Sequence, residues 1–203
     1  MKLYIMRHGE TLWNVQYKLQ GISDIPLNQN GIELAKVTGE ALKDVSFDLC
    51  ITSPLTRAKD TARLVLGEKC IPLLEDPRIQ EITFGVWEGL SCKPGQEEIP
   101  LDMLQRFFHR PDIYVPPEGG ETIEAVCERT KDFFDELVNN EQHRDHTVLI
   151  TSHGCAVRAL LQNVYTDFDK GFWHGKIPPN CGVNIVGIKE GKAVFMEEDV
   201  VYY

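Results

Sequence analysis

The chain has 203 residues, 42% of them hydrophobic and 26% charged, and its 21 Lys plus Arg against 31 Asp plus Glu give a formal net charge of −10. That length fits one domain, and the balance excludes a disordered tail or a disulfide miniprotein while leaving apolar mass for a sizeable core. A surface this acidic, with a pI near 5.1, argues against a nucleic-acid backbone or an anionic membrane as the main partner.

Leu3 to Met6 form a short apolar run, which predicts a fully buried strand. Arg7 and His8 interrupt that run too early for a signal-peptide core. No stretch approaches the roughly 18 apolar residues of a membrane span. Cysteines stand at 50, 70, 92, 127, 155 and 181 with no C-x-x-C pair, so reduced thiols in a cytoplasmic protein are expected. Residues 7–29 are polar and irregular. Ile32, Leu34, Ala35, Thr38, Ala41 and Leu42 then recur at helical spacing from Gly31 onward. Phe47 to Thr52 reads as a second strand. Ser53-Pro54 predicts an N-cap followed by proline in the first turn. The helix behind it places Ala58, Ala62 and Val65 on one face and stops near Gly67. A weak strand covers Ile71 to Leu74.

Residues 76–120 lack periodicity and hold six prolines, apart from an amphipathic stretch from Leu101 to Phe108. An inserted lid-like segment, at about 85–118, is expected within a single domain spanning 1–203. Thr122 to Val138 reads as a helix, Thr147 to Thr151 as a strand and Gly154 to Val164 as a helix. Val183 to Ile188 and Ala193 to Met196 read as a hairpin around Glu190-Gly191. Strands alternating with helices predict a three-layer α/β/α sandwich with a mostly parallel sheet.

Serine-hydrolase, P-loop, dinucleotide and zincin signatures are all absent. Instead, three predicted strand ends carry chemistry. The first delivers Arg7 and His8, the second leads to Arg57 one turn into its helix, and the third delivers His153. In an open α/β sheet, ligands bind beyond the carboxyl ends of strands. Arginine forks match phosphate oxygens, and helix N-termini add N–H groups and a positive dipole end. Gly9 is expected to let the backbone approach the ligand. The convergence points to a phosphoryl site.

Longer motifs surround these residues: Arg7-His8-Gly9-Glu10-Thr11-Leu12-Trp13-Asn14, Ser53-Pro54-Leu55-Thr56-Arg57-Ala58 and Glu81-Ile82-Thr83-Phe84-Gly85-Val86-Trp87-Glu88-Gly89. Gly119-Gly120-Glu121-Thr122, Ser152-His153-Gly154 and Arg158-Ala159-Leu160 follow. In that order they resemble the histidine phosphatase superfamily, with its phosphoglycerate-mutase-like fold. The resemblance covers residues 2 to 160 and is loose beyond.

It implies that His8 is the nucleophile, that Arg7, Arg57 and His153 hold the phosphoryl oxygens, and that Glu81 is the general acid and base. Asn14, Gln20, Gly21 and Gly154 match positions lining the phosphate pocket of relatives. No metal and no cofactor is implied, because the arginines supply positive charge. The expected activity is hydrolysis of a small phosphorylated metabolite, through a phosphohistidine.

Two rivals remain at this point. A cofactor-dependent phosphoglycerate mutase uses the same histidine, but such mutases follow the acid with Arg-His-Tyr-Gly and a basic-rich insertion. Here Ile82-Thr83-Phe84-Gly85 follows Glu81, and residues 88–110 offer only Lys93, Arg106 and Arg110. A catalytically silent phospho-ligand binding module is the second. Specificity is expected in residues 85–118, with Trp87 as a pocket wall. Ser152 reads as a turn or capping residue. Glu121 and Arg158 read as structural, and His109, His143, His146 and His174 are assigned no role.

Overall fold

The protein is described by a computed structural model over residues 1–167 and 171–203. The chain runs through β1 (Lys2–Arg7), α1 (Leu12–Val15), α2 (Gln29–Ala41), β2 (Leu49–Thr52), α3 (Thr56–Leu66) and β3 (Leu73–Glu75). It continues with α4 (Leu101–His109), α5 (Ile123–Asn139), β4 (Thr147–Ser152), α6 (Gly154–Leu161), β5 (Val183–Lys189) and β6 (Lys192–Val200).

Six strands form one sheet in the order β3-β2-β4-β1-β5-β6. The first four are mutually parallel, and β5 and β6 run antiparallel at one side. Strand side chains alternate between faces. Leu3, Ile5, Val148 and Ile150 accordingly pack with Phe133 and Phe134 of α5 and Val157 and Leu160 of α6. Tyr4, Met6 and Leu149 point the other way, into a cluster with Ala35 of α2 and Ala62 and Val65 of α3. Both faces are covered, which is why β1 reads as an uninterrupted apolar run. The architecture is the expected α/β sandwich with a mostly parallel sheet.

A third cluster lies beyond the carboxyl ends of the parallel strands. Leu104 and Phe107 of α4 meet Ile82, Phe84, Val126 and Trp173 there. Residues 85–118 are therefore packed structure rather than open loop.

Several boundaries differ from the sequence expectations. Phe47 is buried but precedes β2, and the hairpin strands are longer than expected. The weak strand shifts to Leu73–Glu75. Ser53 does not cap α3: the helix starts at Thr56, after Leu55, which has no capping side chain. Asp24 takes over that function, accepting from the Thr56 N–H and Oγ1 at 2.7 Å each. A cap supplied from 32 residues upstream leaves no local sequence signature. Arg158 is the buried ion-pair residue expected, 2.6 Å from Asp199. Among the described residues, no helix is long and apolar enough to cross a membrane.

Candidate active site

Register sets the site. Arg7 of β1 pairs with Ser152 of β4, so the next residues, His8 and His153, leave the sheet side by side with ring centroids 5.2 Å apart. Ser152 itself is structural, its Oγ donating to the Ile79 carbonyl at 2.8 Å. Thr52 of β2 pairs with Thr151, which brings the β2–α3 turn and Arg57 to the same end.

His8 is buried, and its Nδ1 lies 2.6 Å from the Gly9 carbonyl. A carbonyl only accepts, so Nδ1 carries the proton and Nε2 keeps its lone pair. Burial, then the charges of Arg57 and Arg7, hold this imidazole well below the ordinary histidine range. His153 has a fixed tautomer too. Arg57 Nε donates to its Nδ1 at 3.2 Å, so its proton sits on Nε2, 2.7 Å from Ser53 Oγ. Burial and the same Arg57 charge keep it neutral.

Arg57 is fully buried in α3. Its other nitrogens donate to the carbonyls of Ser23 at 2.8 Å and Gly21 at 2.7 Å. Burial pulls it down to about 10, which leaves it charged at neutral pH. Arg7 Nη1 donates to the Pro178 carbonyl at 2.7 Å, while its buried Nε has no partner. A buried unpartnered guanidinium nitrogen is costly unless a ligand meets it.

Glu81 lies opposite, at the start of α6. Its Oε2 accepts from the Cys155 N–H and its Oε1 from the Ala156 and Ile82 N–H groups, at 3.0–3.1 Å. An added Cβ on Gly154 would sit 3.5 Å from Glu81 Oε2 and 3.7 Å from Arg7 Nε. Gly154 thus keeps open the gap between the acid and the cation.

These groups border a cavity of about 260 Å³. Arg7, His8, Asn14, Gln20, Glu81 and Gly154 line its polar end. Arg57 and His153, expected to hold phosphoryl oxygens, do not line the cavity, and neither does Gly21: Arg57 is turned to Gly21, Ser23 and His153, and His153 to Ser53. Gly21 does not face the cavity as expected, because its missing Cβ makes room for Glu88 Oε1, 2.1 Å from where that atom would be. Asn14 Oδ1 accepts from the N–H and Oγ1 of Thr11, leaving its amide nitrogen unengaged. With its amide nitrogen donating to Thr11 Oγ1, Gln20 turns its oxygen to Arg57 Nε and Nη1, each at 3.2 Å. Among the described residues, no group of His, Cys, Asp and Glu is arranged to hold a metal ion.

A sequence profile described as the histidine phosphatase superfamily (branch 1) matches residues 3–198. The chain belongs to the histidine phosphatase superfamily. It is 38% identical to an uncharacterized phosphatase, PhoE, of Bacillus subtilis over 160 residues, 79% of this chain and 75% of that one. It is 30% identical to a 2,3-bisphosphoglycerate-dependent phosphoglycerate mutase 2 of Gloeobacter violaceus, covering 80% and 74%. The solved Bacillus stearothermophilus YhfR superposes with a TM-score of 0.88 at 32% identity, covering 99% and 98%.

Within this histidine phosphatase, two expectations change. Gly9 does not open the backbone to a ligand: its Cβ would lie 2.6 Å from the Gly31 carbonyl oxygen, so it permits close packing on α2. Trp87 is not a cavity wall but packs into the third apolar cluster; Trp13 and Trp173 line the cavity instead. Glu121 is structural, as expected, through an ion pair with Arg129 at 2.8 Å.

Sequence reasoning missed Asn180, whose amide donates to the His8 carbonyl at 3.0 Å, and Thr61, which accepts from the Gly9 N–H at 2.9 Å. Thr61 lies one turn beyond Arg57, the only available signal. Asn180 follows Pro178-Pro179 in an irregular stretch with none. Glu88 is the weaker alternative acid because it does not line the cavity; its carboxylate is turned to Ile22, Ser23, Thr83 and Phe84.

Proposed function

We propose that the protein is a metal-independent phosphatase in which His8 takes the phosphoryl group of a small monoester onto Nε2. The free Nε2 lone pair, enforced by the Nδ1 contact to Gly9, is the single observation that carries this reading. In the first step the Nε2–P bond forms and the P–O ester bond breaks. Arg7, Arg57 and the helix α6 N-terminus stabilise the phosphoryl oxygens, in line with the electrostatic character of phosphoryl transfer. Glu81 delivers a proton to the ester oxygen as it leaves. Water then attacks phosphorus, Glu81 takes a proton from it, the N–P bond breaks and phosphate leaves. His153 donates through Nε2, exchanging Ser53 for a phosphoryl oxygen.

Hydrolysis is favoured over the mutase reaction by charge. Beyond the phosphoryl end, Lys18 is the one cation lining the cavity among the described residues. A mutase must hold a bisphosphate and a carboxylate while it reorients, which calls for more. The net charge of −10 supports a dissolved metabolite as partner, and six unbridged cysteines support a cytoplasmic location. The test compares phosphate release with conversion of 3-phosphoglycerate to 2-phosphoglycerate in the presence of bisphosphoglycerate. Release is expected to dominate, and to survive EDTA. Mutase turnover well above phosphate release contradicts the proposal, as does an EDTA loss restored by a divalent metal.

A further inference from the structure

Glu88 stands outside the cavity lining, yet its carboxylate accepts five hydrogen bonds. Oε1 takes the Ile22 N–H at 3.0 Å and the Phe84 N–H and Thr83 hydroxyl at 3.1 Å each. Oε2 takes the N–H and the hydroxyl of Ser23, at 2.7 and 2.5 Å. One side chain thereby ties the loop at 21–24 to the stretch that follows Glu81. Gly21 lets the two meet this closely, since its Cβ would also lie 2.8 Å from the Ile82 carbonyl oxygen. The loop leads straight to Arg57. The carbonyls of Gly21 and Ser23 hold its Nη2 and Nη1 at 2.7 and 2.8 Å, and Asp24, the next residue, caps the helix that carries it. Ser23 is thus held from both sides, its N–H on Glu88 and its carbonyl on Arg57. Burial opposes the charge on Arg57, while Glu81, Asp24 and Glu88 favour it through space.

We propose that Glu88 is a positioning residue, which fixes Arg57 for phosphoryl transfer by holding the 21–24 loop against the segment after Glu81. The inference rests on the phosphatase reading, in which Arg57 stabilises the phosphoryl oxygens, and deepens it. It is specific about chemistry as well as size. Every group facing the Glu88 side chain donates, and a carboxylate only accepts. In Glu88→Gln the amide nitrogen must face either the Ser23 N–H or the N–H groups of Ile22 and Phe84, donor against donor. The hydroxyls of Ser23 and Thr83 can turn to accept, but the backbone N–H groups cannot. Part of the clamp therefore opens although the side chain keeps its size, and the Ser23 carbonyl moves with it, taking Arg57 out of place.

The probe is p-nitrophenyl phosphate, whose leaving group needs no proton from Glu81, so its turnover reports the phosphoryl end alone. Misplacing a reacting group by about 1 Å can cost 10²-fold, so Glu88→Gln is expected to lower kcat by roughly 10- to 100-fold. KM should move far less, because the lost contact acts in the transition state. In an Arg57→Ala background the same substitution should add almost nothing, whereas multiplying losses overturn the inference. Glu88→Asp keeps the charge and both acceptors on a shorter stem, and its kcat should fall between those of the native enzyme and Glu88→Gln. If Glu88→Gln does not melt cooperatively, Glu88→Asp decides alone, and native kcat from it overturns the inference. Native kcat in a folded Glu88→Gln, or a loss confined to KM, does so too, and leaves the phosphatase reading intact. No phosphate release by the native enzyme overturns both.

Discussion

Arg129 grips the backbone of Glu81 with a guanidinium that has no free N–H. Its Nη2 donates to the Glu81 carbonyl at 3.1 Å, and its Nη1 to the carbonyls of Arg78 and Gln80 at 2.7 and 2.8 Å. The two remaining N–H groups form a fork on Glu121, at 2.8 and 2.9 Å. Three carbonyls around the acid are thus fixed to helix α5. Misplacing a reacting group by about 1 Å can cost 10²-fold, so Arg129→Met is expected to slow transfer from an alkyl phosphate by roughly 10- to 100-fold. Transfer from p-nitrophenyl phosphate, whose leaving group needs no proton, should change little. In a Glu81→Gln background the same substitution should add almost nothing to the alkyl loss in single-turnover kinetics. Additive losses would show that Arg129 acts on the fold in general.

The buried histidines make stability depend on pH. His8 and His153 are held neutral well below the ordinary value of 6.5. Below that pH the unfolded chain binds protons that the folded chain refuses. Stability is therefore fully present above about pH 6.5 and falls as pH drops toward the folded values, with a slope of up to about 1.4 kcal/mol per pH unit for each histidine. Urea midpoints measured between pH 7.5 and 5 should decline, and His8→Gln should flatten the decline. An unchanged slope in His8→Gln would mean that His8 is not held neutral. Activity limited by His8 protonation should likewise persist well below pH 6.5.

Two glycines are expected to fail in different ways. Gly9→Ala places a Cβ 2.6 Å from the Gly31 carbonyl oxygen, a backbone collision costing about 1–3 kcal/mol or more. Thermal melting should show the loss. Gly154→Ala meets only side-chain atoms at 3.3–3.7 Å, so melting should barely move. Its methyl enters the gap between Glu81 and Arg7, and inorganic phosphate should inhibit this variant more weakly than the native enzyme.

Arg158 and Asp199 form an almost fully buried pair, with side chains 0% and 3% exposed. Removing one partner from such a pair typically costs about 3–5 kcal/mol. Arg158→Met should lower the urea midpoint accordingly. Arg158 Nε also donates to the Lys176 carbonyl at 3.2 Å, two residues before the carbonyl that holds Arg7.

The sheet was legible because β1 and β4 are buried on both faces and carry unbroken apolar runs. Arg7, His8 and His153 were legible because chemistry follows those strands directly. The supports were not. Asp24 caps α3 from a loop, and Asn180 reaches His8 across 172 residues. Neither contact leaves a local pattern. Gly9 was misread because close approach to a ligand and close packing on a neighbouring helix both call for glycine, and only the position of Gly31 separates them. Trp87 was misread because a short turn of irregular phase gives no period from which to assign a face. The cavity wall unites Trp13, α4 and Trp173, segments that join only in three dimensions.

The central claim is that His8 Nε2 carries the phosphoryl group. Rapid mixing with a 32P-labelled monoester, an alkaline quench that preserves phosphohistidine, and peptide mass spectrometry test it directly. The account predicts label on the peptide containing His8, lost on acid treatment and absent in His8→Ala. Label on a serine or cysteine, or full turnover by His8→Ala, would contradict it.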